Sequence, residues 1–300
     1  MNNTLKAHAA VLGTNLFFAA NFSLVKLISP RLVAPFGLNI YRVGVSLLLF
    51  WILWLFSPRK TPLAPADRAR IVWCGLTGVA INQMLFIRGL TLTSSIHAAL
   101  LMLTTPLLIT VFARLVLKEK GSRTQVPGLL LGVCGAAWLI AGGSASAEAS
   151  NPLLGDALIL LNAIFYSFYF ILVKPLMQRY TPIEVVRWVF TAGFVFMLPF
   201  GAADAVQVPF GDFGAMDWVA LAAIVLTGTF LAYAFNAYGI RQLGAGITGA
   251  YIYTQPVFAV LIATLVLREG FSWAKAGAAA LIFLGVFLVN RKPASGERSS

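Results

Sequence analysis

Ten apolar stretches of about twenty residues each dominate this chain, and a helix of that length spans the roughly 30 Å hydrocarbon core of a bilayer. They run near residues 9–28, 36–56, 71–90, 96–115, 126–142, 153–173, 185–203, 218–238, 247–267 and 273–290. The boundary between the third and fourth is the faintest, marked by Arg88 and the polar run 91–95. Composition agrees. Apolar residues make up 59% of the chain and charged ones 11%, against about 25% charged in an ordinary soluble domain. Such a chain has too little polar surface to face water, which excludes a soluble enzyme, a disordered tail and a disulfide-held secreted domain. Cys74 and Cys134 both fall in apolar stretches and read as packing residues. The first stretch reads as a span rather than a cleaved leader, because it is long, carries Asn15 and Asn21, and precedes no soluble domain.

A net charge of +12 would point to nucleic acid in a soluble chain; in a membrane chain it is first a signal of sidedness. Arg42 lies inside a span. With the N-terminus in the cytoplasm, sixteen of the other bases fall on the inner side and five, Lys26, Arg31, Arg88, Arg268 and Lys275, on the outer side. Both termini are therefore expected in the cytoplasm, and the basic balance reports topology. The longest connections, 57–70, 143–152 and 204–217, are too short to fold alone, and the polar tail 291–300 reads as disordered.

The chain also matches itself. Displaced by 150 residues, Gly89 falls on Gly239, Thr104 on Thr254, Pro106 on Pro256, Gly135 on Gly285, and the run from Ala113 to Glu119 on that from Ala263 to Glu269. Nearer the start of each half the offset is 148, which sets Leu24-Val25-Lys26 on Leu172-Val173-Lys174. Each half holds five spans, an odd number, so the second enters the membrane from the opposite side. Inverted repeats of this kind build alternating-access carriers, with the cargo site near the midplane between the halves.

Several of these residues together resemble a known family. They are Asn21-Phe-Ser-Leu-Val-Lys26, Arg42, the run Thr93-Ser-Ser-Ile-His-Ala-Ala99, Pro106, Glu119 and the glycines from Gly128 to Gly135, matched later by Pro256, Glu269, Gly277 and Gly285. Over residues 9–290 the chain resembles the drug/metabolite transporter (DMT) superfamily in its ten-span form with two EamA-type halves. Within it the chain is most similar to the YddG-type exporters of aromatic and other amino acids. The resemblance implies an all-α membrane protein of ten transmembrane helices, arranged as two inverted five-helix repeats around a central cavity. The repeats would occupy residues 9–142 and 153–290, with the tail 291–300 beyond them, in a bacterial inner membrane. Its partners would be the bilayer and a small-molecule cargo, with no nucleic acid and no cofactor or metal; a monomer is compatible. The fifth and tenth spans would sit at the periphery, where their glycines serve close packing.

The polar residues of the spans narrow the chemistry. Asp156 and Glu184 lie near helix starts and no carboxylate falls mid-span, so a carboxylate proton relay is not expected. The one histidine inside a predicted span, His97, has Ser94 and Ser95 too close in sequence to face it on a helix, and no ligand cluster accompanies it. Catalysis is therefore disfavoured. What the spans do carry is uncharged polar and aromatic residues at helical spacing: Asn162, Tyr166 and Tyr169; Thr229, Tyr233 and Asn236; Thr248, Tyr251 and Gln255. Any one of them could be an interhelical hydrogen bond worth about 0.6–2 kcal/mol. So many together point to a wetted cavity, since lipid penalises exposed amides and phenols.

The candidate cavity residues are Asn21, Asn82, Gln83, His97, Thr104, Asn162, Tyr166, Tyr169, Tyr233, Asn236, Tyr251 and Gln255, with Pro106 and Pro256 as paired hinge candidates. Only Lys26, Arg42, Arg88 and Lys174 are near enough to add charge, and Lys26 and Lys174 read as snorkelling to the interfaces. A midplane without fixed charge is thus expected, which disfavours phosphate cargo. The set fits a small zwitterion with an apolar or aromatic side chain, an amino acid above all, exported by facilitated diffusion. Three alternatives stay open: a drug or cation exporter of the same superfamily, proton coupling through His97, or an intramembrane enzyme or receptor-like binding protein.

Overall fold

The computed structural model describes residues 3–57, 60–117, 125–141, 149–268 and 272–290, and none of these lies in a strand. Ten helical segments follow one another: α1 Asn3–Ile28, α2 Pro35–Leu55, α3 Pro65–Leu92, α4 from Ser95 to Leu117, α5 Gln125–Ala141, α6 Pro152–Arg179, α7 Pro182–Val206, α8 Ala215–Gly244, α9 Ile247–Leu267 and α10 Trp273–Asn290. Among the described residues, eight of them, all but α5 and α10, are long and apolar enough to cross a membrane. The outward faces of the bundle carry Leu48, Val195, Leu265 and Phe287, and polar residues are buried between the helices, the inverse of a soluble bundle. Cys74 is buried as expected, whereas Cys134 faces outward. The run 118–124, with Glu119, and also Glu269 and the tail 291–300, lie outside the described residues.

Local chemistry explains where the helices begin. Pro35, Pro65, Pro152 and Pro182 each open a helix, where the missing N–H leaves no bond unmade. Thr181 and Glu184 form a reciprocal capping box, and the Asn151 side chain accepts from the Leu154 N–H at 3.3 Å. The faint boundary between the third and fourth stretches is real: Thr93 is extended, and Ser94 caps the new helix by accepting from the His97 N–H at 3.0 Å. Gly244, at φ 84°, turns α8 into α9, a backbone conformation that glycine adopts without steric cost.

Packing repeats across the halves. α5 packs chiefly on α10 and α2 on α7, while α1 lies against α8 and α9 as α6 lies against α3 and α4. The departures from α-helix repeat as well. α3 loosens into a π turn at Leu76–Ala80 and α8 into one at Leu226–Leu231. α4 breaks into Ser95–Leu101 and Thr104–Leu117, and α9 tightens to a 3-10 turn at Tyr251–Thr254. Both breaks precede the prolines rather than bend at them, and the proline explains each. Pro106 has no N–H for the Met102 carbonyl, which accepts instead from the Thr105 N–H at 3.0 Å; Pro256 has none for Ile252, inside the 3-10 turn. Each proline then sits in the first turn of the helix that restarts.

Between α5 and α10 the backbones touch. A Cβ on Gly285 would lie 2.5 Å from both the Gly128 carbonyl oxygen and the Gly132 nitrogen. Neither neighbour is a side chain that can swing away, so the helices would have to separate. Gly285→Leu is expected to lower unfolding stability in detergent by about 1–3 kcal/mol, while Ala280→Leu on the exposed face of α10 leaves it unchanged.

Candidate substrate cavity

A cavity lies between the halves. α1 supplies Phe18, Asn21 and Phe22; α2 supplies Arg42; α3 supplies Asn82, Gln83 and Phe86; α4 supplies Met102 from its break. The second half closes it with Asn162 and Tyr166 from α6, Tyr233 from α8 and Gln255 from the restart of α9. The aromatic wall is ordered by edge-to-face contacts, Phe22 on Phe86 at 5.3 Å and Phe18 on Tyr233 at 6.0 Å between centroids.

Hydrogen bonds across the seam set the polar groups. Gln83 Nε2 donates to the Tyr233 hydroxyl at 2.7 Å, and that hydroxyl donates to the Gly78 carbonyl at 3.4 Å. Asn162 Nδ2 donates to the Asn82 carbonyl at 2.7 Å, and Gln255 Nε2 to Asn15 Oδ1 at 2.9 Å. Three polar atoms of the wall residues stay buried without a partner: Asn21 Oδ1, Asn162 Oδ1 and Arg42 Nη1. Buried polar atoms are normally satisfied, so three around one cavity need an explanation.

Arg42 overturns the expectation of an uncharged midplane. It is 1% exposed, donates from Nε to Thr229 Oγ1 at 3.0 Å, and reaches the Gly228 carbonyl from Nη2 at 3.4 Å. Lys174 and Arg88, by contrast, are exposed. The π turns account for these contacts. Each frees backbone from the regular ladder, and the carbonyls of the equivalent glycines, Gly78 and Gly228, turn to Tyr233 and Arg42. The signal was present in the sequence as Leu76-Thr-Gly78 and Leu226-Thr-Gly228, 150 residues apart, but periodicity alone does not mark a π turn.

Seven of the twelve predicted residues, Asn21, Asn82, Gln83, Asn162, Tyr166, Tyr233 and Gln255, line the cavity. The other five lie elsewhere for definable reasons. Tyr169 stacks on Tyr166 with centroids 6.0 Å apart and fills the space over Gly78, so it backs the wall. Asn236 lies near the Tyr166 hydroxyl and is not part of the wall. Thr104 turns back to the Leu101 carbonyl at 2.8 Å. Tyr251 is carried out of phase with Gln255 by the 3-10 turn and meets His8 Nδ1 at 2.8 Å, near the start of α1. His97 also lies outside the wall: its Nδ1 is 3.0 Å from Asp156 Oδ2, with both side chains at most 2% exposed, and Thr93 donates to Asp156 Oδ1 at 2.5 Å. The carboxylate accepts, so Nδ1 carries the proton.

The sequence model of the EamA-like transporter family matches residues 5–141 and again residues 153–291. The chain belongs to the EamA-like transporter family. It is similar to YetK of Bacillus subtilis, described as an uncharacterized transporter, with 24% identity over 286 residues covering 95% of this chain and 85% of that protein. It is 28% identical over 238 residues to a probable terminal-alkyne amino-acid exporter of Streptantibioticus cattleyicolor, covering 78% of this chain and 77% of the exporter. A solved crystal structure at 19% identity shares the fold, with a TM-score of 0.65 and coverage of 95% and 97%. This EamA-family chain is thus a multi-pass membrane transporter.

The His97–Asp156 pair ties α4 to α6 beside the cavity. Asp156→Ala strands His97 and Thr93 together and is expected to cost about 1.5–3 kcal/mol of unfolding stability in detergent. Cargo affinity of the folded variant, measured by competition binding, should stay at the wild-type value; its loss would bring His97 into the cargo site.

Proposed function

We propose that this EamA-family transporter exports small zwitterionic metabolites, amino acids with apolar or aromatic side chains above all. The carrying observation is the cavity at the seam of the halves, which Phe18, Phe22, Phe86 and Tyr233 line together with Asn21 and Asn162, whose amide oxygens lack partners. Unmatched acceptors in a buried wall favour a donor such as an ammonium group, and the rings suit an apolar side chain. The similarity to a probable amino-acid exporter supports the same cargo class.

Transport proceeds by alternating access. The breaks in α4 and α9 and the π turns in α3 and α8 occupy equivalent places in the halves, so exchanging their conformations would carry the opening from one side of the cavity to the other. The breaks that precede Pro106 and Pro256 serve as the paired hinges. The protein works as a facilitator in a bacterial inner membrane, with both termini in the cytoplasm, because the distribution of bases favours that sidedness and no wall residue is a carboxylate.

Purified protein in liposomes should move labelled leucine and phenylalanine, chemically unchanged, down their gradients without an imposed proton gradient. An absolute need for a proton gradient would remove the facilitator. Chemically altered product would remove the carrier. Asn162→Ala should weaken flux about tenfold or more while the protein stays folded.

A further inference from the structure

We propose that Arg42 is the anion anchor of the cavity: it takes the carboxylate of the cargo, so that a carboxylate is a condition of recognition. The inference rests on the reading of this cavity as the cargo site and adds the feature that selects among its possible cargoes.

Arg42 is among the largest fully buried side chains of the protein. A guanidinium removed from water normally needs a counter-ion, since one breadth of lipid or packed protein does not solvate it. Among the described residues Arg31 pairs with Asp217 and Arg179 with Asp67, His97 meets Asp156, and no carboxylate pairs with Arg42. Its partners are neutral. Thr229 Oγ1 and the Gly228 carbonyl hold Nε and Nη2 on α8, and Nη1 is left over. Thr229 Oγ1 itself donates to the Ile224 carbonyl at 3.0 Å, so its lone pairs are free to accept from Arg42. The fork is therefore fixed in advance, with one donor nitrogen unspent.

The leftover groups of the wall form a complementary set. Arg42 Nη1 is an unmatched cationic donor, and Asn21 Oδ1 and Asn162 Oδ1 are unmatched neutral acceptors. A carboxylate on the first and an ammonium on the second pair satisfies all three. One arginine without a second cation suits a single carboxylate rather than a phosphate or diphosphate, which calls for several bases. The merely structural reading, Arg42 as a staple between α2 and α8, leaves Nη1 and the charge unaccounted for and makes no demand on the cargo.

The test uses the full-length protein in detergent and in liposomes with matched probes: phenylalanine, phenylalaninamide, 3-phenylpropionate and phenylethylamine. Binding is read by thermal stabilisation and flux by labelled uptake. The wild type should bind phenylalanine about ten- to a hundredfold tighter than its amide, and 3-phenylpropionate tighter than phenylethylamine. Arg42→Gln should erase both preferences, and Arg42→Lys should keep part of them. Equal binding of acid and amide by the wild type overturns the proposal without need of a variant. So does Arg42→Gln, folded with an unaltered unfolding temperature, if it keeps the acid preference. Absence of binding by any carboxylate overturns it as well. If 3-phenylpropionate binds and moves but phenylalanine does not, Arg42 stands and the amino-acid reading falls. If phenylalanine and its amide are carried alike, the reading stands and Arg42 falls.

Discussion

In hydrocarbon every backbone N–H and carbonyl must find a partner inside the protein, and this rule decides where the chain is allowed to be irregular. Here the irregular places come in related pairs: the π turns at Leu76–Ala80 and Leu226–Leu231, the break after Leu101 and the 3-10 turn at Tyr251–Thr254. Each delivers something to the cavity. The π turns release the Gly78 and Gly228 carbonyls to Tyr233 and Arg42, and the breaks bring Met102 and Gln255 into the wall. A further π turn, Ala263–Leu267 at the end of α9, supplies no wall residue. The cavity and the paired deviations are thus one feature.

The halves are related but their walls are not equivalent. Asn21 sits over Gly228, and Tyr169, the residue 148 positions later, sits over Gly78. The first half places an amide beside its partner's π turn and the second half an aromatic ring. Arg42 sharpens the difference, since its hydrogen bonds to Thr229 and Gly228 reach across the seam to α8. The repeat accounts for the matching helices and turns, and the cavity wall differs where the two halves have diverged.

Much of the bundle was legible because its causes are local. Stretches of about twenty apolar residues, prolines at helix starts and the box of Thr181 with Glu184 act within a few residues of themselves. Helical spacing also singled out Asn162 and Tyr166 on α6 and Tyr233 just after the π turn of α8. It misplaced Tyr251, across the 3-10 turn. Tyr251 and Gln255 share a face on an α-helix, but the 3-10 turn between them sends one to His8 and the other to the cavity. His97 looked unaccompanied because its partner, Asp156, is 59 residues away at the start of α6.

The sequence by itself determined that this chain lives in lipid, that it is built of ten helical segments in two related halves, and that it belongs among EamA-like transporters. These follow from hydropathy and self-similarity, which are properties of order along the chain. Only the tertiary structure decided which polar residues meet and which are left unmatched. A base inside a span reads the same whether it is paired or not. The state of Arg42, buried beside Thr229 and Gly228 with Nη1 unspent, depends on a residue 187 positions away and on the π turn that presents it.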